Sequence, residues 1–328
     1  MTWLNLLYII IGVVLVLWGA DRLTEGASSL ARGMRVPEII IGLTIVAAGT
    51  SAPELFVSLV SALKGTADLA VGNVIGSNIF NTTLIVGCSA LVAPMVVAKS
   101  TVRKDIPFAV VASLLLFVLC FDDMDSPHLW GNEITRSDGV ILLIGFAGFM
   151  IYTFHTAKKD GLMPTEEELE DNAEQPKDYS HLLRNIFWIV VGLGCLIYGS
   201  NLFVDAATYV AHRFGVRQSV IGLTIVAGGT SLPELATSVV AAYKGRSAIA
   251  IGNVIGSNVF NILLILGATA VISPLRIMGI TIVDLMVLLV TIGFMWLFAF
   301  TKFYVSRREG AVLVGCFLLY MGWLFYLI

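Results

Sequence analysis

Long apolar blocks separated by short polar turns make up most of this chain. A helix of about 20 residues crosses the hydrocarbon of a bilayer. Blocks of that order run over residues 3–20, 37–63, 69–93, 105–121 and 137–156, and again over 184–206, 217–243, 248–272, 280–300 and 309–327. The pattern predicts an all-α membrane protein of ten transmembrane helices, five in each half. The first block begins at Trp3 with no basic stretch before it and no small-residue cleavage site after it, so it reads as a retained span rather than a signal peptide.

Two blocks in each half carry the same text. Residues 41–55 read IGLTIVAAGTSAPEL and residues 221–235 read IGLTIVAGGTSLPEL. AVGNVIGSNIFN at 70–81 returns as AIGNVIGSNVFN at 250–261, again 180 positions on. An odd number of spans per copy turns the second copy upside down, so the expected architecture is two inverted five-helix repeats, a plan common among secondary transporters. Residues 1–156 form the first repeat, 157–183 a polar linker, and 184–328 the second repeat.

Composition agrees: 57% of the residues are hydrophobic and 13% charged, with a mean hydropathy of +0.89, too apolar for one soluble core. The net charge of −3 changes little. The placement of Lys and Arg changes more, because cytoplasmic loops of membrane proteins are enriched in both. Fifteen fall on one side of the ten-span drawing, among them Arg22, Arg32, Arg103, Lys158, Lys244, Arg246 and Arg308. Five fall on the other, Lys64, Arg136, Arg213, Arg217 and Arg276. The linker is then cytoplasmic, both termini face outside, and the expected location is the inner (cell) membrane.

Glu54 and Glu234 stand inside apolar blocks, where a charged side chain costs several kcal/mol and marks function. Around them Thr50, Ser51 and Pro53, and Thr230, Ser231 and Pro233, predict a span that breaks near residue 50 and restarts toward the glutamate, with a hydroxyl capping the new helix. A break at membrane depth frees carbonyls, and it is tolerated only against protein or a watery cavity. Thr50 and Glu54 lie four apart on one helix face, as do Ser77 and Asn81, Thr230 and Glu234, and Ser257 and Asn261. Two carboxylates, hydroxyls, carboxamides and carbonyls form an all-oxygen donor set. That suits a hard cation such as Ca2+ rather than zinc or copper. Gly72 with Gly76, and Gly252 with Gly256, have the spacing that lets helices approach closely.

The paired GTSxPE and GNxIGSNxFN motifs resemble the two alpha repeats of the sodium/calcium exchanger family, within the cation/calcium antiporter superfamily, in its prokaryotic form. The resemblance implies Glu54 and Glu234 as central calcium ligands, with oxygens from Thr50 and Thr230. It implies sodium sites at Ser51, Ser231, Ser77 and Ser257 with carbonyls near Ala47 and Ala227, and places Asn81 and Asn261 between the glutamates. Some prokaryotic members carry Asp at one of these two Asn positions, whereas this chain has Asn at both.

The expected function is therefore exchange of Ca2+ for Na+ by alternating access around a midplane site. Exchange against H+ or K+ on the same fold is the alternative, and a passive cation channel a more distant one. The transported ions and the bilayer are the partners; no nucleic acid, cofactor or enzyme activity is expected, and a monomer is compatible with this reading. No Ser-His or Cys-His pairing lies within the spans. Cys88, Cys120, Cys195 and Cys316 lack metal-binding spacing and read as packing thiols. Asp122, Asp123 and Asp125 read as a solvated turn, and the acidic run at 166–178 as part of a flexible tether.

Overall fold

The structure, a computed structural model, describes residues 2–34, 36–120, 133–159, 179–214, 227–277 and 280–327. The Asp122–Asp125 turn and the acidic run of the linker lie outside the described residues.

Among the described residues the regular structure is all helix apart from four two-residue strands. Its helices are α1 (Thr2–Gly33), α2 (Glu38–Thr50), α3 (Ala52–Leu63), α4 (Ala67–Val92) and α5 (Ile106–Leu119). They continue with α6 (Arg136–Lys159), α7 (Tyr179–Arg213), α8 (Ala227–Thr230) and α9 (Leu232–Tyr243). The last three are α10 (Ser247–Ile272), α11 (Ile282–Lys302) and α12 (Arg307–Leu327). Among the described residues seven helices are long and apolar enough to cross a membrane, or eight if the bent pair α2–α3 counts as one span. The two other predicted spans are also helical where described. One is α5 with the π turn Thr101–Asp105 before it, whose Arg103, Lys104 and Asp105 add charge; the other is α8 with α9.

Several helices outrun their apolar blocks. α1 continues past residue 20 because Leu23, Ala27, Leu30 and Ala31 keep one buried face while Arg32 points outward. α6 and α7 likewise extend into the predicted linker, to Lys159 and from Tyr179.

Glycines set the closest helix contacts. A Cβ on Gly12 would lie 2.8 Å from the Gly199 carbonyl oxygen, and one on Gly19 would lie 2.7 Å from that of Gly192. The residue numbers rise along α1 as they fall along α7, so the two helices cross antiparallel. The second copy's small-residue pair does what its spacing predicts: Gly252 and Gly256 of α10 sit against Ile39, Gly42, Leu43 and Ala47 of α2. The equivalent of that α2 stretch in the second half, 217–226, lies outside the described residues.

Strands β1 (Met95–Val96) and β4 (Tyr304–Val305) pair antiparallel, as do β2 (Glu133–Ile134) and β3 (Leu275–Arg276), so each ribbon joins one half to the other. Lys244 reaches Asp21 at 2.5 Å and Glu25 at 3.0 Å, and Arg246 reaches Glu38 at 3.1 Å. Four basic residues that the sequence assigns to one side, Arg22, Arg32, Lys244 and Arg246, thus gather at one end of the bundle, around a cleft of about 480 Å3 lined in part by Arg32, Lys244 and Arg246. The outward faces of α1, α6 and α12 present Trp3, Ile151 and Leu319 to their surroundings, the surface expected of helices in lipid.

Candidate functional site

The α2–α3 span bends by 46° between Thr50 and Ala52, with Pro53 in the first turn of α3, as the sequence predicts. The bend frees less backbone than expected, because the Ser51 amide still donates to the Ala47 carbonyl at 2.9 Å and the Leu55 amide to the Ser51 carbonyl at 3.1 Å. The hydroxyls also differ from expectation. Ser51 and Ser231 hold the N-cap positions of α3 and α9, yet neither side chain caps its helix. Ser51 Oγ donates instead to Glu234 Oε1 at 3.0 Å, and Ser231 Oγ to Glu54 Oε1 at 3.1 Å. A hydroxyl can donate and accept at once, so the local amides and the carboxylate are not rivals for one atom; the rotamer that reaches the opposite half's glutamate is the one adopted, and a bond to an ionised carboxylate is about twice as strong as a neutral one.

Each glutamate sits in the first turn of its helix, where the helix dipole favours negative charge. Both are buried, and among the described residues neither forms an ion pair with Lys or Arg. Thr50 and Ser257 stand beside Glu234, and Thr230 beside Glu54. Ser77 joins through Ser231, whose Oγ lies 3.2 Å from Ser77 Oγ. Asn81 and Asn261 lie one turn beyond Ser77 and Ser257, at the start of widened π turns covering Asn81–Ile85 and Phe260–Leu266. Such turns inside α-helices are frequent at functional sites. Ala47 is buried at the end of α2, where its carbonyl also accepts weakly from Thr50 Oγ1 at 3.4 Å; Ala227 opens α8. Of the twelve predicted residues, Glu54, Glu234, Ser77, Ser257, Asn81 and Asn261 fall on α3, α9, α4 and α10, Ala47, Thr50, Ala227 and Thr230 on α2 and α8, and Ser51 and Ser231 at the junctions that lead into the glutamate helices.

Four atoms give this cluster its chemistry. Glu54 Oε2, Glu234 Oε2, Asn81 Oδ1 and Asn261 Oδ1 are buried with no hydrogen-bond partner among the described residues. All four are acceptors, and a hard cation satisfies acceptors without needing a donor. Three or more His, Cys, Asp or Glu side chains do not come together anywhere among the described residues, so the candidate donors are mainly hydroxyl, amide and carbonyl oxygens around the acidic pair.

Further residues shape the cluster without having been singled out by spacing. Asn73 Nδ2 donates to the Glu54 carbonyl at 3.3 Å and to Ser58 Oγ at 3.1 Å. Asn253 Nδ2 does the same for the Glu234 carbonyl at 3.3 Å and Ser238 Oγ at 2.9 Å, and Thr50 Oγ1 contacts Asn253 Oδ1 at 3.0 Å. Asn73, Ser58, Asn253 and Ser238 also repeat at the offset of 180, a signal available in the sequence.

The profile of the family described as sodium/calcium exchanger protein matches residues 4–155 and again 184–326. The chain belongs to the sodium/calcium exchanger family. It is 30% identical over 352 residues to the sodium/calcium exchanger MaX1 of Methanosarcina acetivorans, covering 98% of this chain and 99% of that one. Inner membrane protein YrbG of Escherichia coli is 36% identical over 322 residues, covering 97% of this chain and 96% of its own. Among solved structures, the sodium-calcium exchanger NCX_Mj soaked with 10 mM Na+ superposes with a TM-score of 0.83 at 30% identity, over 98% of this chain and 99% of that one. Membership in this family makes the chain a membrane transporter, the class to which a buried acidic pair among apolar helices belongs.

Proposed function

We propose that this protein exchanges Ca2+ for Na+ across the inner membrane, alternately exposing to each side one site built from Glu54 and Glu234. The reading rests above all on the crossed serine–glutamate bonds, which hold two buried carboxylates facing each other, each with one oxygen uncommitted. Two carboxylates balance one divalent ion. Thr50 and Thr230 add oxygens to the calcium site. Ser51, Ser77, Ser231 and Ser257 form the flanking sodium sites with the carbonyls of Ala47 and Ala227, and Asn81 and Asn261 stand between. At Ala47 a cation would replace the long Thr50 contact.

In this reading the chain has ten spans in two inverted repeats, 1–156 and 184–328, joined by a cytoplasmic linker, with both termini outside. The antiparallel crossing of α1 and α7, which are equivalents at the offset of 180, supports the inversion. So does the crossing of α4 and α10, where Asn81 meets Asn258 while Asn78 meets Asn261. Inverted halves meeting at one site are suited to rocking access from side to side.

Calcium-45 uptake into proteoliposomes under Na+, K+ and H+ gradients imposed in turn tests the reading. Uptake driven by outward Na+ alone is the expected result; uptake driven only by K+ or H+ would replace Na+ as the coupling ion, and passive equilibration without counterflow would indicate a channel.

A further inference from the structure

Asn78 and Asn258 lie among the buried asparagines of the site but are not in the donor set above. Each touches its counterpart's motif. Asn81 Nδ2 donates to Asn258 Oδ1 at 3.1 Å, and Asn261 Nδ2 donates to Asn78 Oδ1 at 3.1 Å. Asn78 Nδ2 closes the ladder on the Asn258 carbonyl at 3.4 Å. A carboxamide has one donor end and one acceptor end, so engaging the NH2 of Asn81 and Asn261 fixes where their oxygens go. Those two oxygens are the ones left buried and unpartnered.

We propose that Asn78 and Asn258 are positioning residues that hold the carboxamides of Asn81 and Asn261 with their oxygens available to the transported cation, and so favour divalent over monovalent ions. The proposal rests on the antiport reading for its cation. Without the ladder either carboxamide is free to rotate and present its NH2, a donor that repels any cation. The penalty scales with ionic charge, and Ca2+ takes about six to eight oxygen ligands. Calcium therefore loses more than sodium when the ladder breaks. The two rungs differ in one respect: Asn258 Nδ2 is buried without a partner among the described residues, so position 258 serves as an acceptor only.

That difference gives the test. Asn258→Leu removes the acceptor while keeping the branched shape of the side chain, whereas Asn258→Asp keeps an oxygen in its place in either protonation state. In proteoliposomes, Asn258→Leu should raise the half-saturating Ca2+ concentration by about tenfold or more, the range seen when partners orienting metal ligands are lost. Its half-saturating Na+ should shift far less, and Asn258→Asp should recover most of the Ca2+ affinity. Parental Ca2+ affinity in Asn258→Leu, an equal loss for Na+ and Ca2+, or no recovery in Asn258→Asp would each overturn the proposal. The ladder is also measurable in the unmutated protein, independently of transport and of whether Asn258→Leu folds. With 15N-labelled asparagine in detergent micelles, the side-chain amide protons of Asn81 and Asn261 should exchange with water much more slowly than those of exposed Asn201. Fast exchange there would sink the ladder, while slow exchange in a protein that moves no calcium would sink the antiport reading instead.

Discussion

Glu54 and Glu234 each commit one carboxylate oxygen to a serine of the other half and keep the second uncommitted. Taking a carboxylate out of water costs several kcal/mol unless an opposite charge compensates it, and a divalent ion between the pair compensates both. Glu54→Gln or Glu234→Gln leaves such an ion with one charge unbalanced. Each variant should fold, seen as an unchanged monodisperse elution profile, and lose calcium uptake by well over about tenfold, the factor carried by 1.4 kcal/mol. Near-normal uptake in either would remove the shared site. Ser51→Ala is a gentler case: Glu234 Oε1 loses a charge-assisted bond, in the range of about 1.5–3 kcal/mol. Its half-saturating calcium should rise by about tenfold, with Ser231→Ala matching it because the two bonds are equivalent across the repeat.

At the scale of elements, close helix approach depends on particular glycines. A Cβ on Gly256 would fall 2.6 Å from the Leu43 carbonyl oxygen and 2.6 Å from the Ala47 Cβ, while one on Gly315 in α12 would meet nothing within 4 Å. Gly256→Val should therefore push α10 from α2, costing about 1–3 kcal/mol as overpacking does, and lower the unfolding temperature in detergent. Gly315→Ala should leave it unchanged or slightly raised, since Ala is the better helix former. Equal behaviour of the two variants would mean that the α2–α10 contact is not tight in the folded protein. Because that contact carries Ala47 and Asn253, Gly256→Val should also weaken calcium uptake in the fraction that stays folded.

For the whole molecule the questions are orientation and charge movement. Single cysteines placed in 166–178 should be protected from an impermeant thiol reagent in intact cells, and one at Pro127 labelled, as the fifteen-to-five distribution of basic residues requires. Reversed labelling would invert the topology. Exchange of three Na+ for one Ca2+ carries one net charge, worth about 2.3 kcal/mol per 100 mV. Calcium uptake against outward Na+ should therefore speed up when the vesicle interior is clamped positive, because three Na+ carry more positive charge out than one Ca2+ brings in. One net positive charge leaves per cycle, so an inside-negative potential slows uptake. Voltage-independent uptake would exclude the three-for-one scheme.

The sequence by itself determined the membrane class, the two copies, the bend at Thr50–Pro53 and the identity of the polar residues in the apolar blocks. These are local properties: a run of apolar residues needs lipid, a proline starts a helix, and a duplicated glutamate is visible as text. The ends of helices were less legible, because α1 is prolonged to Gly33 by a buried face that exists only once neighbouring helices cover it. Only the tertiary structure decided the partners. Ser51 Oγ could accept from an amide of its own helix as a cap or donate to a carboxylate 183 residues away, and the packing of the two halves brings that carboxylate within 3.0 Å. The same meeting brings Asn78 to Asn261 and Asn81 to Asn258. A side chain's spacing along its own helix fixes which face it lies on, but which atom it bonds depends on what the other half places opposite it.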